Sequence, residues 1–176
     1  MTVHLARALP IFLLWTSLTP ALARAAEPPP APPCASPAHH QFDFWIGDWE
    51  VRNPAGKVVG QNHITALHGG CVLFESWTGA GGFAGSSLNI YDAGRGKWHQ
   101  TWVDGAGGLL LLEGGYADGR MVLVGEAAVA AKPADTATSR ITWQPLPDGR
   151  VRQHWEVSQD KGATWTTAFD GYYQKK

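Results

Sequence analysis

From Phe42 onward, short runs of aromatic and β-branched residues alternate with clusters of Gly, Asp, Asn or Pro. The interval is roughly 8–14 residues, the spacing of an all-β sandwich or barrel. It predicts strands over 43–52, 57–67, 71–78, 85–92, 97–104, 108–113, 120–127, 139–145, 150–158 and 164–173. The punctuation is specific: Asn53-Pro54-Ala55-Gly56, Asp92 to Gly96 and Asp104 to Gly108 are turn sequences. Asp118-Gly119 and Asp148-Gly149 are hairpin dipeptides, because Gly accepts the positive φ such turns need. Turns this short force antiparallel neighbours. Ten strands in an open sheet would leave two unpaired edges, and closure removes them. The expected fold is therefore all-β, an antiparallel up-and-down barrel of about ten strands, with a two-sheet sandwich as the alternative. Only the segment 127–138 lacks punctuation, and a loop or one short helix both fit it.

The region before Phe42 has a different character. His4 and Arg7 precede the apolar run Pro10 to Leu18, and Ala21-Leu22-Ala23 and Ala23-Arg24-Ala25 follow as small-x-small sites. Residues 1–26 are thus expected to be a signal peptide. The apolar run is too short to span a bilayer, which takes about 20 residues. Cleavage would leave a periplasmic or secreted product without a membrane span. Residues 27–41 are dense in proline and read as an extended leader to a single domain at 42–176. With export to an oxidising compartment, Cys34 and Cys71 are expected to form a disulfide. The formal charge of −1 argues against nucleic acid, which needs a basic face.

Strand alternation places alternate side chains on one face. It groups Glu75 with Trp77, Asn89 with Tyr91 and Ser87, and Trp98 with Gln100, Trp102 and Asp104. Gln153 groups with Trp155. Aromatics mixed with amides and a carboxylate suit a liganded cavity, apolar walls with a few placed polar groups. A filled barrel whose polar atoms satisfy one another is the alternative. Glu75, if buried, needs a partner, and Arg152 or a ligand would supply one.

The segment Phe42 to Val51 (FDFWIGDWEV) carries a Gly47-x-Trp49 pair on a first strand, which resembles the opening strand of lipocalins and other calycins. That resemblance implies a Trp closing one barrel end, with Arg152 or Arg150 against it through a cation–π contact. Glu75-Ser76-Trp77 after Gly70-Cys71, Ser87 to Asp92, Gly96 to Asp104, Val151 to Glu156, Thr164-Trp165 and Phe169 to Tyr172 extend the likeness. Together they resemble a family of small exported bacterial proteins of unknown function with a lipocalin-like barrel. The resemblance implies the fold and no activity.

No nucleophile elbow, phosphate loop or zinc-protease motif is present. Gly79 to Gly85 reads as a portal loop. His39-His40 with His63 and His68 offer a zinc set, and His99 or His154 a haem ligand. Adjacent histidines are usually just solvated, and His99 and His154 alternate away from the proposed cavity, so neither metal nor cofactor is expected. Glu75 with Asp104 would be a carboxylate pair for acid–base work. Exposed Trp residues would instead stack on sugars. The leading expectation is a small, largely apolar ligand held by Glu75, Trp77, Asn89, Tyr91, Trp98, Gln100, Trp102, Gln153 and Trp155. Gly47, Trp49 and Arg152 are assigned structural roles. An enzyme using Glu75, and a filled barrel acting as an envelope interaction module with an exposed apolar patch, are the other two readings. Oligomeric state and ligand identity are open.

Overall fold

The structure, a computed structural model, describes residues 32–129 and 132–176, without the side chains of 127–136. The export segment expected at 1–26 lies outside the described residues. The ten strands are β1 (Gly47–Arg52), β2 (Val58–Leu67), β3 (Val72–Gly79), β4 (Ala84–Asp92), β5 (Lys97–Asp104), β6 (Leu109–Ala117), β7 (Arg120–Val129), β8 (Lys132–Pro145), β9 (Val151–Ser158) and β10 (Thr166–Lys175). Each pairs antiparallel with its sequence neighbour, and β1 pairs with β10 to close the barrel. Closure satisfies both ladder edges, so none is left to template another chain. The β6–β7 turn shows how the punctuation works. Asp118 and Gly119 both take positive φ, 51° and 76°, and Ala117 pairs with Arg120 across them. A two-residue turn of this hand follows the natural strand twist.

Burial alternates along the strands as the pleat requires. Asn62 and Ile64 on β2, Leu73 and Glu75 on β3, Trp98 and Gln100 on β5, and Met121 and Leu123 on β7 point inward. The aromatic bulk gathers at one end. Phe42 stacks on Trp45 at 5.0 Å and meets Trp98 and Trp143 edge-on at 5.6 and 5.2 Å. Tyr173 touches both Trp45 and Trp49, and the Trp49 indole N–H donates to the Trp45 carbonyl at 2.9 Å. Edge-on and offset aromatic pairs contribute about 0.5–1.5 kcal/mol each beyond area burial.

Three expectations change. Residues 43–46 are not strand: Asp43–Trp45 forms a 3-10 turn that folds Phe42 and Trp45 under the barrel. Residues 36–41 are not a free extended leader. Pro37–His40 is a second 3-10 turn, His39 packs edge-on to Tyr91 at 5.1 Å, and the Trp98 indole N–H donates to Gln41 at 3.3 Å. The proline count suggested extension, but the apolar end of the barrel gives this segment something to cover. In the segment 127–138, residues 127–129 and 132–138 are strand and not helix, because β7 and β8 pair out to Val129 and Lys132. Its Ala and Thr residues lack the bulk alternation that marks the other strands.

The role assigned to Arg152 is also corrected. Arg152 alternates with the inward Val151 and Gln153 and points outward, where its guanidinium grips Asp170 with two bonds of 2.8 Å. Trp49 instead receives Lys175, whose Nζ lies 5.3 Å from the ring centroid. The β1–β10 register sets Lys175 opposite Trp49.

Cys34 and Cys71 form the expected disulfide, with Cα atoms 5.2 Å apart. It fastens the closing segment to the β2–β3 connection. Closing a loop of 37 residues removes denatured-state entropy, a gain of about 3–4 kcal/mol in the chain-entropy model. Cys34→Ser should therefore lower unfolding free energy by roughly 3 kcal/mol in urea, and reductant should do the same to the parent protein. A loss below about 1 kcal/mol would show that packing alone holds the segment.

Candidate functional site

Because the aromatic bulk fills one end, the other end encloses a cavity of about 350 Å³. That volume is within the range of small-molecule sites. Trp77, Trp102, Trp155 and Phe169 form its walls, and Glu75, Gln100, Gln153 and Tyr173 its polar floor. Gly79, Ala80, Gly81 and Phe83, from the β3–β4 connection, line it at the mouth. This is the glycine-rich loop expected to be a portal.

Two glycines give the walls their shape. A Cβ at Gly60 would fall 2.5 Å from the Trp77 ring, and one at Gly85 would fall 2.3 Å from the Trp102 ring. Each indole therefore lies against the bare backbone of the neighbouring strand. A side chain there would collide with the ring and with a backbone carbonyl of the neighbouring strand. The indoles are held as well as placed. Trp102 donates to Asp104 at 3.2 Å and Trp155 to Ser139 at 3.1 Å. Trp77 meets Phe169 edge-on at 5.9 Å.

The floor is a directed hydrogen-bond network. Gln100 Nε2 donates to Asn89 Oδ1 at 2.8 Å, Asn89 Nδ2 to Ser87 Oγ at 2.9 Å, and Ser87 Oγ to Glu75 Oε2 at 2.6 Å. Asn62 Nδ2 donates to Glu75 Oε1 at 2.7 Å and to Tyr173 Oη at 3.3 Å. The Tyr173 hydroxyl donates to Gln153 Oε1. Every group bonded to Glu75 is a donor, so the network converges on a carboxylate. The carboxylate is buried, however, with no cation among the described cavity-lining residues. Burial dominates: it raises the Glu75 pKa from 4.5 to about 7, against the opposing bonds from Ser87 and Asn62. Tyr173, also buried and facing Glu75, is pushed well above its ordinary value and stays a neutral donor.

The cavity thus brings together Glu75, Trp77, Gln100, Trp102, Gln153 and Trp155. The other three expected ligand residues lie elsewhere in the interior. Asn89 is buried beneath the floor and holds Gln100 and Ser87 in place. Trp98 and Tyr91 belong to the closed end, where their rings lie 6.0 Å apart. Alternation gives a side chain's face and not its height in the barrel. The sequence reading missed Asn62, Phe169 and Tyr173. Asn62 alternates with Ile64, and Phe169 and Tyr173 with Gly171, so the signal was present in strands whose faces were not compared.

Asp104 does not join Glu75. Its carboxylate accepts from the backbone N–H groups of Ala106 and Gly108 in the β5–β6 turn, which lowers its pKa. His99 and His154 bond Thr101 and Thr167 on the outer surface. Among the described residues, no cluster of three or more His, Cys, Asp or Glu side chains is placed to hold a metal ion. No helix among them is long and apolar enough to cross a membrane. Leu88, Ile90, Val103, Leu109, Leu111 and Val124 form an exposed apolar stripe on β4 to β7.

Fold and site together define a closed ten-strand antiparallel barrel, plugged at one end and hollow at the other. In comparisons with known proteins, no family model and no curated relative matches the chain.

The poised carboxyl makes a stability prediction. In the unfolded chain Glu75 ionises near 4.5, and in the fold near 7. Between these values the native state holds the extra proton, so stability is full at the acid side and falls as pH rises through about 7. The loss is roughly 3 kcal/mol at about 1.4 kcal/mol per pKa unit. Urea unfolding of the ligand-free protein from about pH 5 to 8 should show this slope, and Glu75→Gln should flatten it. Carboxylates with lowered pKa, Asp160 at about 2 among them, act at the acid side of this window. A slope unchanged by Glu75→Gln would exclude Glu75 as its source.

Proposed function

We propose that this protein is an exported, calycin-like binding barrel that carries a small, largely apolar ligand in its aromatic cavity. The observation that carries the reading is the cavity itself: indole and phenyl walls above a polar floor of preset hydrogen bonds. Preorganised polar groups in an apolar pocket give orientation, while the walls give affinity. The disulfide supports an oxidising compartment, periplasmic or extracellular. The Gly47-x-Trp49 opening, with Trp49 packed at the closed end, supports kinship with small exported lipocalin-like proteins.

Binding is favoured over catalysis by Glu75. Acid–base work on a small molecule commonly needs a second positioned group. Asp104, the carboxylate offered by the sequence, is occupied by a turn. A wholly filled barrel is disfavoured by the hollow end.

The direct test is titration with Nile red, a neutral apolar fluorophore, alongside native mass spectrometry of protein purified from its own host. The parent protein should bind the dye with a blue-shifted emission, and Leu110→Trp, which fills the cavity wall, should weaken binding at least about tenfold, roughly 1.4 kcal/mol. Equal binding by parent and Leu110→Trp would place the dye on the outer apolar stripe and remove the cavity reading.

A further inference from the structure

We infer that the cavity selects a small organic cation, an alkyl- or arylalkyl-ammonium, with its ammonium against Glu75 and its apolar body among Trp77, Trp102 and Trp155. The inference rests on the binding reading above and adds the chemical class of the ligand.

Four observations carry it. Among the described residues, Glu75 is the only acidic one lining the cavity, and no Lys, Arg or His lines it. Once Glu75 ionises, the field at the floor is that of an anion with no cation among the described lining residues. Second, both Glu75 oxygens receive donors from the barrel side, Asn62 and Ser87, which orient the carboxylate and stabilise its charged form. Third, the adjoining walls are indoles, the side chains with the strongest cation–π attraction. Fourth, the floor amides complement an ammonium. Among the described residues, the Gln100 amide spends its N–H on Asn89 and Ser87 and leaves its carbonyl oxygen unbonded. That oxygen is a second acceptor for an N–H donor beside Glu75.

The same arrangement excludes other classes. A fatty acid or a phosphate would set like charge against Glu75, with no cation among the described lining residues to receive it.

Ligand entry then exchanges a proton. Below about pH 7 the empty site is mostly protonated, and an incoming ammonium displaces that proton to solvent. Above it, the carboxylate is already ionised and no proton is released. The titratable group facing Glu75 from the surrounding strands is Tyr173, on β10; the other contacts, Asn62 on β2 and Ser87 on β4, do not titrate. Affinity for an ammonium should therefore rise with pH through about 7, and affinity for a neutral analogue should not.

Three isosteric probes test this: phenylbutylamine, phenylbutanol and phenylbutyrate, titrated by calorimetry into the purified protein at about pH 6 and about pH 8.5. The amine should bind best at the higher pH and about tenfold more weakly at the lower, following the ionised fraction of Glu75. The alcohol should be unaffected by pH, and the acid should be weakest. Glu75→Gln should erase the preference for amine over alcohol. The pH dependence of the parent protein needs no variant, so a misfolded Glu75→Gln would not blunt the test. Equal affinity for amine and alcohol, an amine preference that survives Glu75→Gln, or best binding by the acid would overturn the cation assignment and leave the binding barrel standing. Failure of all three probes with Nile red still bound would do the same. Failure of the three probes and of Nile red would overturn both.

Discussion

A ten-strand barrel encloses more space than its own inward side chains need, so something must decide which part of that space is filled. Here the ring of Phe42, laid on Trp45, does so from outside the sheet. The two aromatics come from a turn that precedes β1, enter the barrel from below, and meet Trp98, Trp143 and Tyr173. One end becomes a dense aromatic core, and the far end stays hollow. The disulfide secures this division covalently, since it joins the segment leading into the turn to the connection between β2 and β3. Everything proposed about the cavity depends on this closure, because a barrel open at both ends would be a wet channel and would not desolvate Glu75.

Tyr173 links the two halves. Its ring packs against Trp45 and Trp49 in the closed end, while its hydroxyl joins Asn62 and Gln153 in the floor of the cavity. Packing in the plug therefore fixes the position of a donor in the site. Chains of such bonds polarise one another in a low-dielectric interior, so the direction of the whole set matters more than any single member. The Gln100–Asn89–Ser87 chain and one Asn62 bond run toward the Glu75 carboxylate, while the Asn62–Tyr173–Gln153 branch runs away from it.

The strand count, the antiparallel order and the disulfide were legible because turns are written in a few residue types with strong backbone preferences. Asp118-Gly119 is the clearest case, with both residues in the left-handed region the dipeptide implies. The inward faces were legible for the same local reason. Height within the barrel was not. Trp98 and Trp102 share a face of β5, yet one belongs to the plug and the other to the cavity, because four residues of strand set them about 13 Å apart along the barrel. Arg152 was misassigned because a cation–π partner is chosen by three-dimensional register, and Lys175 stands opposite Trp49. The alanine-rich part of the β7–β8 hairpin was opaque because its side chains carry little contrast between faces.

Gly60 and Gly85 give the cavity an unusual kind of author. Each sits on a strand next to the indole it accommodates, and its lack of a side chain is what lets that indole lie back. The width of the binding space is thus encoded one strand away from the surface that a guest would feel. Drift at such a position could reshape selectivity while every residue touching the guest stayed the same. Among divergent barrels of this design, a comparison restricted to lining residues would score two proteins as alike when their interiors admit different molecules.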